Sequence, residues 1–158
     1  MHTWILLITS LPTENATARI RAWRSLKASG ATVLRDGVYL MPEREDCRAT
    51  LESVATDVRA ADGTALVVRI EEPSDGNFVS LFDRSADFAN LLGEISLARE
   101  GLHPESANDV LKQARRLRKT FTNLVAIDFF PGEAQKQADG EILNDLYFIL
   151  LSFVEFQA

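Results

Sequence analysis

The sequence predicts an α+β fold on three observations. Apolar runs of strand length alternate with segments of helical periodicity up to about residue 72. All nine Phe lie between Phe78 and Phe156, whereas both Trp lie within the first 23 residues. Between the two regions, Glu71-Glu72-Pro73-Ser74-Asp75-Gly76 has turn and linker character. The expected organisation is an α+β unit over residues 1–73. A helical region over residues 76–158 follows, packed on that unit or serving as an interaction arm.

The first unit opens with Trp4-Ile5-Leu6-Leu7-Ile8, a continuous apolar run that reads as a strand covered on both faces. Leu11-Pro12-Thr13 breaks it, and Thr13 is the expected cap of a helix with Glu14 in its first turn. Ala16, Ile20, Trp23 and Leu26 recur at helical spacing as the expected core stripe, and Gly30 is the stop. Ala31–Leu34 and Val38–Met41 are β-prone pieces around Asp36-Gly37. That dipeptide forms either a two-residue hairpin turn or a bend with a bulge at Gly37. Pro42 is expected to open a second helix, with Glu43, Glu45 and Asp46 near its positive end. Cys47, Leu51, Val54, Val58 and Ala61 form its stripe. Asp62-Gly63 ends it, and Ala65–Ile70 is the closing strand. The order strand, helix, strand, strand, helix, strand is that of the split βαβ, ferredoxin-like arrangement.

Three helices are expected after the linker. The first carries Phe78, Phe82, Ser85, Phe88, Leu92 and Ile95 on one face and ends near Gly101 and Pro104. The second starts at Ser106, paired with Asp109 as a capping box, and its stripe is Val110, Ala114, Leu117, Phe121 and Leu124. The third runs from about Glu133 to Val154 after the turn Phe130-Pro131-Gly132, with Gly140 as a weak point.

The length of 158 residues is enough to bury a core without disulfides or metals. A single cysteine, Cys47, rules out an internal disulfide, and with only His2 and His103 beside it a Cys/His zinc site is not expected. A reduced, cytoplasmic setting follows. Trp4–Ile8 lacks the basic leader of a secretory signal, and Leu146–Val154 is well short of the roughly twenty residues of a spanning helix. No membrane partner is expected. The tail run instead reads as a buried helix or a face that joins protomers.

Catalytic patterns are missing: there is no phosphate-cradling loop, no dinucleotide glycine fingerprint and no nucleophile elbow. Cys47 lies on an apolar stripe, where a thiol is a small hydrophobe. His2 is terminal and His103 precedes Pro104 in a loop. Glu43, Glu45 and Asp46 suit a helix start without any metal. No enzyme activity, cofactor or metal is expected.

Two basic clusters stand out against a net charge of −6. Arg19, Arg21, Arg24 and Lys27 lie on the first helix, with Arg35 beyond it and only Glu14 opposing them. Lys112, Arg115, Arg116, Arg118 and Lys119 follow one another within about two helical turns with no acid between them. Such helices lie along a phosphate backbone or bind an oxyanion. They equally suit a solvated face paired with acids elsewhere, such as Asp83 or Asp87 for Arg115 and Arg118.

Several stretches resemble the chromate resistance regulator family ChrB. They are Trp4–Pro12, Arg21-Ala22-Trp23-Arg24-Ser25-Leu26-Lys27-Ala28-Ser29-Gly30-Ala31, Leu34-Arg35-Asp36-Gly37-Val38-Tyr39-Leu40-Met41-Pro42 and Ala126-Ile127-Asp128-Phe129-Phe130-Pro131-Gly132-Glu133-Ala134. The resemblance implies a cytoplasmic regulator of genes that accompany a chromate efflux pump. It also implies a longer protein with a second domain of comparable size, to which sensing or redox functions would belong. Trp23-Arg24 and Gly37-Val38-Tyr39 are further similar to phenylacetate-pathway repressors, whose central domain resembles small ferredoxin-like nucleases. Those nucleases carry an acid at the end of the first strand. Thr9-Ser10-Leu11 holds none here, so nuclease activity is not carried over.

The expected function is therefore a non-enzymatic, DNA-associated regulatory domain. Its expected partners are promoter DNA, chromate as effector and a second copy of the chain. The alternative is an oligomerising module or an oxyanion-binding domain without DNA recognition, in which arginines such as Arg21 and Arg24 converge on chromate.

Overall fold

The computed structural model describes residues 2–158 and contains two compact units, the first ending at Phe82 and the second beginning at Asp83. The first unit holds β1 (Thr3–Ser10), α1 (Ala16–Ala28), β2 (Thr32–Arg35), β3 (Val38–Pro42), α2 (Glu45–Ala60) and β4 (Thr64–Glu71), then a 3-10 turn at Phe78–Phe82. The second holds α3 (Ser85–Glu100), α4 (Ala107–Ile127) and α5 (Glu133–Gln157). The α+β class holds, with the four strands in one antiparallel sheet of order β2-β3-β1-β4.

Strand pairing decides which side chains share a face. Ile5 lies opposite Met41 and Leu7 opposite Tyr39, while Trp4 lies opposite Pro42 and Ile70. Residues alternate between faces, so Ile5 and Leu7 turn to the helix side. There α2 supplies Cys47, Leu51, Val54 and Val58, all buried as the sequence predicts. On the other face Trp4 stacks on Phe82 and meets Phe78 edge-on. These two phenylalanines do not continue into α3. They form a separate turn that covers Trp4, which is why the first unit extends past the composition shift at residues 73–76. At the far end of that face Ile8 and its partner Leu66 are exposed.

Local differences from the sequence expectation have physical causes. Asn15, not Thr13, caps α1. Its side-chain oxygen accepts the Ala18 N–H at 3.2 Å, and its amide reaches the Ala61 carbonyl. Pro42 ends β3 and α2 starts at Glu45. Asp36-Gly37 is a hairpin turn between Arg35 and Val38, with a register shift between Val33 and Arg35. Of the stripe expected on α1, only Leu26 is buried. A narrow cleft against α2 is instead lined by Ala18, Ala22 and Ser25. Ile20 and Trp23 stand on the side of the helix away from that cleft.

The second unit is a three-helix layer around Phe88, Leu91 and Ile95 of α3, Val110, Ala114, Leu117 and Phe121 of α4, and Ile142, Leu146 and Ile149 of α5. Arg99 on α3 donates to Asp145 on α5 at 2.6 Å, and its guanidinium lies over the Phe148 ring. Ser106 makes no side-chain cap bond to α4; its hydroxyl joins the preceding loop through Gly101 and the His103 N–H. Among the described residues no helix is long and apolar enough to cross a membrane.

Candidate nucleic-acid interface and ligand cavity

Core spacing determines where the charges of α4 point. Val110, Ala114, Leu117 and Phe121 face inward. At about 100° per residue, Lys112, Arg115, Arg116 and Lys119 then fall in one stripe on the opposite side, with Arg118 on its flank. All five are exposed. None of them takes part in an ion pair among the described residues. Several acids of the second unit have partners of their own. Asp87 pairs with Arg84 at 3.6 Å, Asp145 with Arg99 and Glu133 with Lys136. Asp83 accepts from the backbone and hydroxyl of Ser85, which lower its pKa. The stripe is thus a free cationic surface about 10 Å long at 1.5 Å per residue.

The cations of α1 are divided. Arg19 donates to the carbonyls of Pro12 and Thr13 at 3.2 and 3.3 Å, holding the turn before the helix. Arg21 lines the cleft beside Asp57. Arg24 and Lys27 share the outer face with Ile20 and Trp23, and the Lys27 ammonium lies 4.8 Å from the centroid of the Trp23 ring. Arg21 lines that cleft and Arg24 does not.

A cavity of about 520 Å³ opens where β1 ends, lined by Thr9, Ser10, Thr13, Arg19, Asp36 and Tyr39 among others. The β-hairpin closes one side: the Thr9 amide donates to the Gly37 carbonyl at 2.7 Å. Gly37 sits at φ +75°, and a Cβ there would stand 2.5 Å from the Thr9 oxygen. Burial and then the neighbouring Asp36 charge raise the Tyr39 hydroxyl above its ordinary pKa. Tyr39 therefore presents a neutral hydroxyl donor. Three aliphatic hydroxyls, one phenol and one guanidinium can bind an oxyanion, while Asp36 opposes it. Sequence reasoning missed this cavity, although Thr9-Ser10-Leu11-Pro12-Thr13 is a hydroxyl-rich break directly after a strand.

The other candidates have structural partners. Cys47 is buried, and desolvation together with the Asp46 charge pushes its thiol up to about 12. Glu43 accepts from Arg69 at 2.7 Å and from Arg48, and these bonds lower its pKa. Asp46 accepts the Cys47 N–H and pairs with Arg44. Among the described residues no three His, Cys, Asp or Glu side chains are grouped to hold a metal ion. The Oδ1 atoms of Asp128, at the end of α4, and Asp139, on α5, are buried without a hydrogen bond. Burial raises both carboxyls, and Asp139 raises that of Asp128 further.

The chain is similar to known proteins over most of its length. A solved structure, the uncharacterized protein Rv0674 from Mycobacterium tuberculosis, matches with a TM-score of 0.55 and 17% identity, over 100% of this chain and 64% of the other. That likeness concerns the fold. Protein ChrB of Cupriavidus metallidurans is 40% identical over 139 residues, covering 86% of this chain and 43% of that protein. The chain thus spans less than half the length of that relative. The family described as Protein ChrB, N-terminal, matches residues 19–146, and the chain belongs to this ChrB family.

Proposed function

We propose that this chain is a non-enzymatic, DNA-associated regulatory domain of chromate resistance that acts in the cytoplasm. The observation that carries the proposal is the cationic stripe of α4, exposed and without ion-pair partners. Lys112, Arg115, Arg116 and Lys119 contact successive phosphates, with Arg118 at the edge. Phosphate contacts position a protein on the duplex and read little sequence. The acidic total charge does not oppose this, because local potential governs a contact within a Debye length of about 10 Å. Cys47 and the acids near α2 have structural roles, which supports a non-enzymatic domain.

The test is a fluorescence-anisotropy titration of duplex DNA from upstream of the chain's own gene, against a scrambled duplex, at two salt concentrations. Binding is expected at low salt, with a log–log salt slope near −4 for about four phosphates. Preference for the upstream duplex would place operator recognition within these residues. No binding to either duplex at micromolar protein and low salt would overturn the proposal.

A second reading is favoured by the cavity at the end of β1. Chromate, as effector, binds there between Arg19 and the hydroxyls of Thr9, Ser10, Thr13 and Tyr39. Calorimetric titration with chromate and with sulfate tests it. Tighter chromate binding that Arg19→Gln abolishes is expected; equal weak heats with both anions contradict it.

A further inference from the structure

The two edges of the sheet differ. β2 is short and its register shifts between Val33 and Arg35, a distortion that protects an edge against pairing. β4 runs unbroken from Thr64 to Glu71 and pairs with β1 along its whole length. The Thr9 N–H donates to the Gly37 carbonyl and the Glu43 N–H to that of Thr3, so the odd residues of β1 bond β3. The Glu72 N–H donates to the His2 carbonyl, so the even ones bond β4. With Leu6 opposite Val68, the even residues of β4 face β1, and Ala65, Val67, Arg69 and Glu71 turn their backbone outward. Among the described residues none of these outward N–H groups has an acceptor. Of the outward carbonyls only that of Ala65 is engaged: the Arg59 guanidinium of α2 donates to it at 2.9 Å. Neither Arg59 nor Glu71 takes part in an ion pair among the described residues, whereas Arg69 is held by Glu43 at 2.7 Å.

We propose that β4 pairs antiparallel with β4 of a second copy, about a two-fold axis between the two Val68 residues, and joins the two sheets into one. The outward row supplies the ladder. Ala65 faces Glu71 of the second copy and Val67 faces Arg69 of the second copy, each pair exchanging two hydrogen bonds. A two-fold contact of this kind needs a self-complementary surface, and β4 has one on both faces. On the face away from α2, Thr64, Leu66, Val68, Ile70 and Glu72 read polar, apolar, apolar, apolar, polar in either direction. Leu66, 55% exposed, comes to lie against Ile70 of the second copy, and Val68 against its own equivalent. On the α2 face, Glu71 of the second copy arrives opposite Ala65, where Arg59 already stands. Two charges without ion-pair partners thus meet, twice by symmetry, and this match selects a second copy over an unrelated strand. Moving the axis by one residue toward Glu71 sets Arg69 directly opposite its equivalent and parts Glu71 from Arg59. Like charges there oppose the contact. In the proposed register the two Arg69 residues are diagonal neighbours, each neutralised by its own Glu43. The contact uses neither the cationic face of α4 nor the cavity at the end of β1, so its failure is separate from that of either reading above.

The test is sedimentation equilibrium of the full chain across concentration. A reversible dimer is expected. Val67→Pro removes an outward N–H that bonds nothing within the chain, so it is expected to keep the fold and abolish the dimer. Glu71→Arg weakens the dimer at least about tenfold, and adding Arg59→Glu to that variant restores it, because the charge pair is then reversed. Circular dichroism checks the fold of each variant. Should Val67→Pro unfold, the charge pair and its rescue decide alone. A chain that stays monomeric at all concentrations overturns the proposal and leaves the edge to an extended segment of another protein. A dimer that Glu71→Arg and a folded Val67→Pro both leave intact also overturns it, because the contact then lies elsewhere.

Discussion

The indole of Trp4 and the ring of Phe82 stack with centroids 5.4 Å apart and planes inclined by 13°, and both side chains are fully buried. This contact fastens the turn after β4 to the sheet face away from α2. Removing the Phe82 ring leaves a cavity against Trp4, at a typical cost of about 3–5 kcal/mol. Phe82→Ala is expected to show that loss in a denaturant titration. Its half-exposed neighbour serves as the control: Leu81→Ala is expected to lose much less.

Two part-buried acids of the second unit make stability depend on pH. Burial raises Asp128, with Asp139 adding to it, Arg84 opposing and Asp83 adding. Burial also raises Asp139. The folded state therefore holds these protons more tightly than the unfolded chain. Their contribution is fully present below the ordinary aspartate value of 3.8 and is lost as pH rises through the folded values. Asp139→Asn is expected to raise the melting temperature at neutral pH, with the gain shrinking as the pH falls toward that value. A destabilised variant at neutral pH would contradict this.

Cys47 is expected to be inert in the folded protein. Its thiol is buried and pushed up to about 12, so almost no thiolate exists at neutral pH. Reaction with a disulfide reagent should follow the rate of opening and become fast in denaturant.

In the proposed chromate site at the end of β1, Asp36 opposes an anion. It stands on the wall with Arg19 and next to Tyr39. Asp36→Asn removes a like charge and keeps the shape, so it is expected to tighten oxyanion binding several-fold in calorimetry. Unchanged binding would place the anion elsewhere.

Periodicity made much of this molecule legible. Cys47, Leu51, Val54 and Val58 on α2 and Val110, Ala114, Leu117 and Phe121 on α4 are buried where their spacing puts them. The strand order follows from short apolar runs separated by turn residues. Ile20 and Trp23 have equally good spacing and are nevertheless outside, because the side of α1 turned to α2 is that of Ala18, Ala22 and Ser25, which line the cleft there. A pattern weighted by hydrophobicity undervalues such small residues. Phe78 and Phe82 suit a helix continuing into Ser85, but stacking on Trp4 takes them elsewhere. The tail read as one apolar run, yet its residues divide: Leu146 and Ile149 enter the core while Tyr147 and Val154 point out. The cavity was illegible because Thr9, Arg19, Asp36 and Tyr39 come from separate segments that only folding brings together.

The most direct measurement compares the wild-type chain with a variant carrying Lys112→Gln, Arg115→Gln, Arg116→Gln and Lys119→Gln. Anisotropy on one duplex is followed across a salt series. The account predicts a slope near −4 for the wild type and a nearly flat, much weaker response for the variant, since each lost phosphate contact removes about one unit. Equal affinity and equal slope in the two proteins would contradict it and remove α4 from the interface.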